Sequence, residues 1–165
     1  MKYLLLLTCA AALSGCTAIN TRVVINAPAD KVRAIVVDYA AYPSWNPFVV
    51  KMEGDMSAGK DVRVTVHPVG QAPITGTGHV LASDPDRIAW SGQLGFPGVF
   101  SGVHTFLIEA DGPDRTVFSN NEQMRGFSVL FYDFKPTAAA FVAMNQALKQ
   151  RAEAVSPEIP SGDRR

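Results

Sequence analysis

His104, Asn120 and Glu122 are the residues whose types and spacing could do chemistry. They lie in two runs of β-branched and aromatic residues, 101–109 and 115–124, separated by the turn sequence Asp111, Gly112, Pro113. A hairpin closed at that turn pairs residues whose numbers sum to about 224, which sets His104 opposite Asn120 and diagonal to Glu122. A second hairpin about Pro97 brings Trp90 beside His104. Alternation along a strand puts all four on the face that also carries Ile88, Phe106, Ile108 and Phe118, the apolar and therefore inward one. A buried imidazole and carboxylate in reach of each other could exchange protons with a substrate, fix the polar group of a ligand in an apolar pocket, or satisfy one another and Asn120 inside a packed core. The residue pattern leaves these three roles open, and a slip of one residue in register would turn the whole set outward.

Other chemistries have no signature. His67, His79 and His104 are the only histidines, and none has ligand-like spacing to a cysteine or to another histidine, so no metal site is expected. His67 and His79 fall on the polar side of their strands and read as surface residues. No serine sits in a nucleophile-elbow pattern, and no phosphate-cradling glycine loop leads from a strand into a helix. No cofactor is expected.

The chain that must position these residues has 165 of them, the size of one domain. Its first 15 read as a targeting segment: a short charged start at Lys2, then an apolar run over 3–13 that is too short to stay in a membrane as a spanning helix. Leu13, Ser14, Gly15 and Cys16 follow and resemble the lipobox of bacterial lipoproteins, which implies cleavage before Cys16 and acylation of that cysteine. The mature chain then has no second cysteine for a disulfide, and its stability must come from a core, for which about 150 residues suffice. Loss of Lys2 leaves 14 basic against 15 acidic residues, a net charge of about −1, with no basic run. Nucleic acid is therefore not an expected partner. Thr17 after Cys16, in place of an aspartate, resembles outer-membrane sorting, so the expected location is the bacterial cell envelope, lipid-anchored and facing the periplasm.

After a short lipidated linker over 16–20, residues 21–26 read as a first strand. Ala27 and Pro28 open a helix with Val32, Ile35, Val36 and Tyr39 on its apolar stripe. The segment 38–47, with Tyr39, Tyr42, Pro43, Trp45, Asn46 and Pro47, forms a tight corner: Asp38 caps a second one-turn helix, Pro43 stops it, Tyr39 and Trp45 pack, and Asn46 bonds backbone. Strands follow from Phe48 (with Val50 and Met52 on one face), over 62–67 and 71–82, and over 87–92. A glycine-rich apolar loop at 94–100 reads as a lid, a bilayer contact or a piece of the core. Beyond the central hairpin, apolar residues at 134, 138, 141, 144, 148, 152 and 155 mark one face of a long helix, ended by Pro157 and a tail over 156–165. This order gives a curved antiparallel sheet whose apolar face only the C-terminal helix is long enough to cover.

The corner 38–47, Ile88 with Trp90, the 102–106 strand around His104, the Thr116, Phe118, Glu122, Gly126 strand and the Met144, Asn145, Leu148, Lys149 helix segment together resemble the START-related, polyketide cyclase–dehydrase-like (SRPBCC) superfamily. The resemblance covers residues 21–155. It implies an α+β helix-grip fold: about seven antiparallel strands wrapped around a long C-terminal helix, with two short helices after the first strand, enclosing an apolar cavity. It also implies a small hydrophobic molecule or lipid as partner. In such a cavity Trp90, His104, Phe106, Phe118, Asn120, Glu122, Phe141, Met144 and Leu148 are the candidate ligand contacts, and His104 with Glu122 the candidate acid–base pair of an enzyme. A ligand-free envelope protein with a collapsed interior is the remaining alternative.

Overall fold

The computed structural model describes residues 15–154. The leader expected over 1–15, apart from Gly15, and the tail over 156–165 lie outside the described residues, as does Val155. Seven strands form one antiparallel sheet: β1 (Gly15–Ile25), β2 (Val49–Gly54), β3 (Asp61–Val66), β4 (Ile74–Ser83), β5 (Arg87–Leu94), β6 (Phe100–Ala110) and β7 (Thr116–Gly126). Their spatial order is β1-β7-β6-β5-β4-β3-β2. Strands β2 to β7 follow one another as hairpins, whereas β1 and β2 form the two edges. The link between those edges holds α1 (Ala29–Val37), a 3₁₀ turn (Tyr39–Ala41) and α2 (Tyr42–Trp45). A second 3₁₀ turn (Phe127–Leu130) leads from β7 toward the long helix α3 (Lys135–Glu153). This is the expected helix-grip architecture.

The first strand begins at Gly15, not at residue 21, and pairs without a break along β7 from Gly15↔Gly126 to Ile25↔Thr116. Residues 16–20 are therefore strand and not linker. Their side chains hid this: Cys16, Ala18 and Asn20 face solvent, and Ile19 is the one large inward residue. In β2 a bulge between Val49 and Lys51 breaks the expected alternation, so that Phe48, Val49 and Met52 are buried and Val50 is not fully so.

The inner face of the sheet carries Ile25, Phe118, Met124, Phe106, Ile108 and Ile88, all buried. Across it lies α3, which has Pro136 in its first turn and buries Phe141, Met144, Leu148 and Ala152 at helical spacing. Polar groups pin the helix to one side of the sheet. Asn145 on α3 accepts from the Asn120 amide of β7 (3.3 Å) and donates to Thr21 Oγ1 of β1 (3.0 Å), while Thr21 Oγ1 donates to the Asn120 carbonyl (2.9 Å). The helix thus covers the β1 and β7 side and leaves the opposite side of the curved sheet to other elements.

The corner after α1 is built by its own side chains. Asn46 Oδ1 accepts from the Phe48 and Val49 amides, both at 3.0 Å, as expected. Asp38 occupies the cap position without a side-chain bond, and Pro43 lies in the first turn of α2, where it opens that turn instead of ending the one before. Tyr42 is fully buried, meets Tyr39 and Trp45 edge-on, and donates its hydroxyl to the Val36 carbonyl. Burial first, then Tyr39 and Asp38, holds its phenol well above the ordinary value near 10. The unfolded chain ionises this phenol near pH 10 and the fold resists it. The stability involved is complete below pH 10 and falls as pH rises beyond. Tyr42→Phe is expected to cost about 1 kcal/mol at neutral pH and to flatten the alkaline loss. Urea unfolding at neutral and alkaline pH reads both effects.

Candidate functional site

Where α3 leaves the sheet uncovered there is a cavity of about 410 Å³. Its sheet wall comes from Phe48, Val66 and Ile74 near the β2 edge and from Trp90, His104 and Glu122 further in. Phe134 and Thr137 at the start of α3 form the opposite wall. The loop between β5 and β6 (Gly95, Val99) and the segment after β7 (Ser128, Tyr132) border the remaining side. Tyr132 Oη and Gln71 Oε1 meet at 2.7 Å, tying that segment to the β3–β4 connection. The volume lies in the range of small-molecule sites, and the lining is apolar except for a few converging polar groups.

The chief polar pair is His104 with Glu122. The β6–β7 connection is longer than the turn sequence indicates. Asp111 donates its amide to the Arg115 carbonyl, and the first pair is Ala110↔Thr116. Paired numbers therefore sum to 226, not 224. A shift of two residues keeps every side chain on its face but puts Glu122 directly opposite His104, and Asn120 opposite Phe106. The hairpin about Pro97 has the expected register, with Trp90 opposite His104.

Aromatic rings hold the imidazole. Trp90 stacks on it at 4.4 Å and 10°, Phe48 lies nearly parallel at 6.0 Å and 20°, and Phe106 and Phe141 approach at 4.8 and 5.0 Å. His104 is 4% exposed, and among the described residues its Nε2 has no hydrogen-bond partner. Nδ1 lies 3.9 Å from Glu122 Oε2, close enough for electrostatic coupling and too far for a hydrogen bond. Gly102 makes room for the carboxylate, since a Cβ there would lie 2.7 Å from Glu122 Oε1. The arrangement is a fixed imidazole with an unsatisfied nitrogen, a carboxylate beside it, and apolar space in front of both. A buried unpaired polar atom costs free energy until something bonds it.

Of the nine expected ligand contacts, Trp90, His104 and Glu122 line this cavity. Phe106, Phe118, Asn120, Phe141, Met144 and Leu148 do not. They are fully buried where α3 lies on the sheet, and Asn120 bonds Asn145 there. Alternation predicts the face of a strand, not which stretch of that face the helix covers. The sequence reading missed Val66, Ile74, Tyr132, Phe134 and Thr137. A signal was available, because Phe127, Phe131 and Tyr132 form an aromatic cluster outside any periodic element. His67 and His79 are exposed, the latter 2.8 Å from Asp61. Among the described residues no three histidine, cysteine, aspartate or glutamate side chains group as metal ligands, and no helix is long and apolar enough to cross a membrane.

A family model described as polyketide cyclase/dehydrase and lipid transport matches residues 17–153. No curated protein sequence matches the chain. Among solved structures, a START superfamily protein from Mycobacterium smegmatis superposes with a TM-score of 0.66 at 22% identity, covering 84% of this chain and 98% of that one. The Zhui aromatase/cyclase from Streptomyces sp. R1128 gives 0.64 at 22% identity over 84% and 94%. Truncated norcoclaurine synthase from Thalictrum flavum gives 0.65 at 17% over 87% and 97%. At these identities the likeness is one of fold.

Proposed function

Because the chain belongs to the polyketide cyclase/dehydrase and lipid transport family, we propose that it is a membrane-anchored binding protein that holds a small hydrophobic molecule or lipid in the 410 Å³ cavity. The observation that carries this reading is an apolar cavity with one polar corner, in which His104 Nε2 lacks a partner. Such a site takes a largely apolar ligand and orients it by one hydroxyl or carbonyl group. The anchor rests on Leu13, Ser14, Gly15 and Cys16 following an apolar run, with Cys16 acylated in the cell envelope.

Native mass spectrometry of the gently extracted protein is expected to show an added mass that organic solvent removes. A chain that comes out empty, and that takes up neither oleate nor an anthraquinone-type aromatic probe, overturns the binding reading. A clickable palmitate analogue is expected to label the parent and not Cys16→Ser. Equal labelling overturns the anchor.

A second reading, an acid–base enzyme of cyclase or dehydrase type, is favoured by one observation: Glu122 and His104 stand directly opposite each other on the cavity wall. In it the imidazole, held by its aromatic neighbours, takes a proton from the substrate, and the carboxylate 3.9 Å away stabilises the charged ring through space.

A further inference from the structure

We propose that the end of the molecule carrying Phe96, Phe127, Leu130 and Phe131 docks into the lipid bilayer, so that the cavity opens onto the membrane and exchanges its ligand there. This deepens the binding reading by naming the surface from which the ligand comes.

Four large apolar side chains project from two adjoining segments: Phe96 is 80% exposed, Phe131 75%, Phe127 53% and Leu130 47%. Neither 94–100 nor 126–132 contains a charged residue. The two segments are joined as one ledge. Phe127 donates its amide to the Gly98 carbonyl at 2.8 Å, and Ser128 donates both its amide (3.0 Å) and its hydroxyl (2.8 Å) to the Val99 carbonyl. Gly126 permits the approach: its φ is +131°, and a Cβ there would collide with the Val99 backbone. The rings of Phe127 and Phe131 lie 5.1 Å apart on this ledge. Exposed apolar residues held this firmly mark a contact surface.

The occupant follows from where the chain outside the described residues joins. Gly15 pairs with Gly126, and a Cβ at Gly15 would lie 3.0 Å from Leu130 Cδ2. The acylation candidate Cys16, next to Gly15 and paired with Arg125, therefore meets the domain beside the patch. The other end of the sheet, where Ile25 pairs with Thr116, is about 30 Å away along the strand. An anchor at Cys16, one residue from Leu130's neighbour, leaves the domain little choice of orientation. The residues between or beside the exposed ones, namely Gly95, Val99, Ser128 and Tyr132, line the cavity. Whatever covers the patch thus lies directly beside the cavity, and aromatic and aliphatic side chains of this kind suit the bilayer interface.

The test uses the full chain bound to vesicles of brominated phosphatidylcholine and reads tryptophan depth. Phe96→Trp and, as a second probe, Phe131→Trp are expected to shift emission to the blue and to gain at least about twofold quenching over the parent, because both side chains reach the interface. Asp114→Trp, at the far end of the sheet, is expected to stay red-shifted and unquenched. Red-shifted, unquenched emission at 96 and 131 overturns the proposal, as does association of two copies through this patch on the vesicle. The readout needs no ligand, so an empty cavity would end the binding reading and leave the docking result to stand by itself.

Discussion

Phe141→Ala is expected to lower stability by about 3–5 kcal/mol, with an unchanged denaturant slope in urea unfolding. The ring is fully buried, lies 4.7 Å from Phe48 and 5.0 Å from His104, and belongs to the α3 stripe that closes the core. Removing it leaves a void, because Phe106 and Phe118 are held by their strands and cannot follow. The void adjoins His104, so the loss has a second consequence. The imidazole keeps Trp90 on one face but gives up one of the rings that fix it, and the cavity gains depth toward the helix. Phe141→Leu refills most of the volume and is expected to recover more than half of the stability. A fall well below 2 kcal/mol for the alanine variant would mean that α3 does not pack as described.

That prediction rests on a residue whose helical spacing was readable, and the contrast with others explains what the sequence could carry. Alternation in β5, β6 and β7 and a turn about Pro97 suffice to place Trp90 against His104, because each strand is buried on one face and a slip would expose it. The same logic found the α3 stripe. It failed at the start of β1, where Cys16, Ala18 and Asn20 give no alternation to read, and at the β2 bulge, which adds a residue without a glycine or proline to mark it. It also failed to separate the cavity wall from the core. Phe106 and Trp90 share a face and a pattern. One is sealed among rings and strands and the other borders the cavity, and the difference lies in how far α3 extends across the sheet. That crossing is set by Asn145 reaching Asn120 and Thr21, contacts between residues more than twenty positions apart. The family-level pattern of the corner and the later strands could supply the fold, but not this detail.

Changing the polar pair is expected to have the largest effect on function, and it separates the two readings of the site. In the binding reading, His104→Leu weakens a ligand that bonds Nε2 by about tenfold or more, while an analogue lacking the polar group binds as before. Stability changes little, since the variant replaces a buried atom that has no partner with an apolar one of similar size. Glu122→Gln then has a small effect, because the carboxylate does not hydrogen-bond the imidazole at 3.9 Å. In the enzyme reading the order reverses: Glu122→Gln leaves ligand affinity nearly intact and lowers kcat by about 10²–10⁴. Gly102→Ala adds a third readout. Its methyl group would lie 2.7 Å from Glu122 Oε1 and must push the carboxylate aside while leaving the His104 ring in its stack. A carrier tolerates that displacement, and an acid–base pair does not. Titration with oleate and the aromatic probe, followed by tryptophan fluorescence, and product analysis with the same compounds distinguish the outcomes. If His104→Leu changes neither binding nor turnover, the unsatisfied nitrogen has no ligand to serve, and the cavity belongs to the packing of the fold alone.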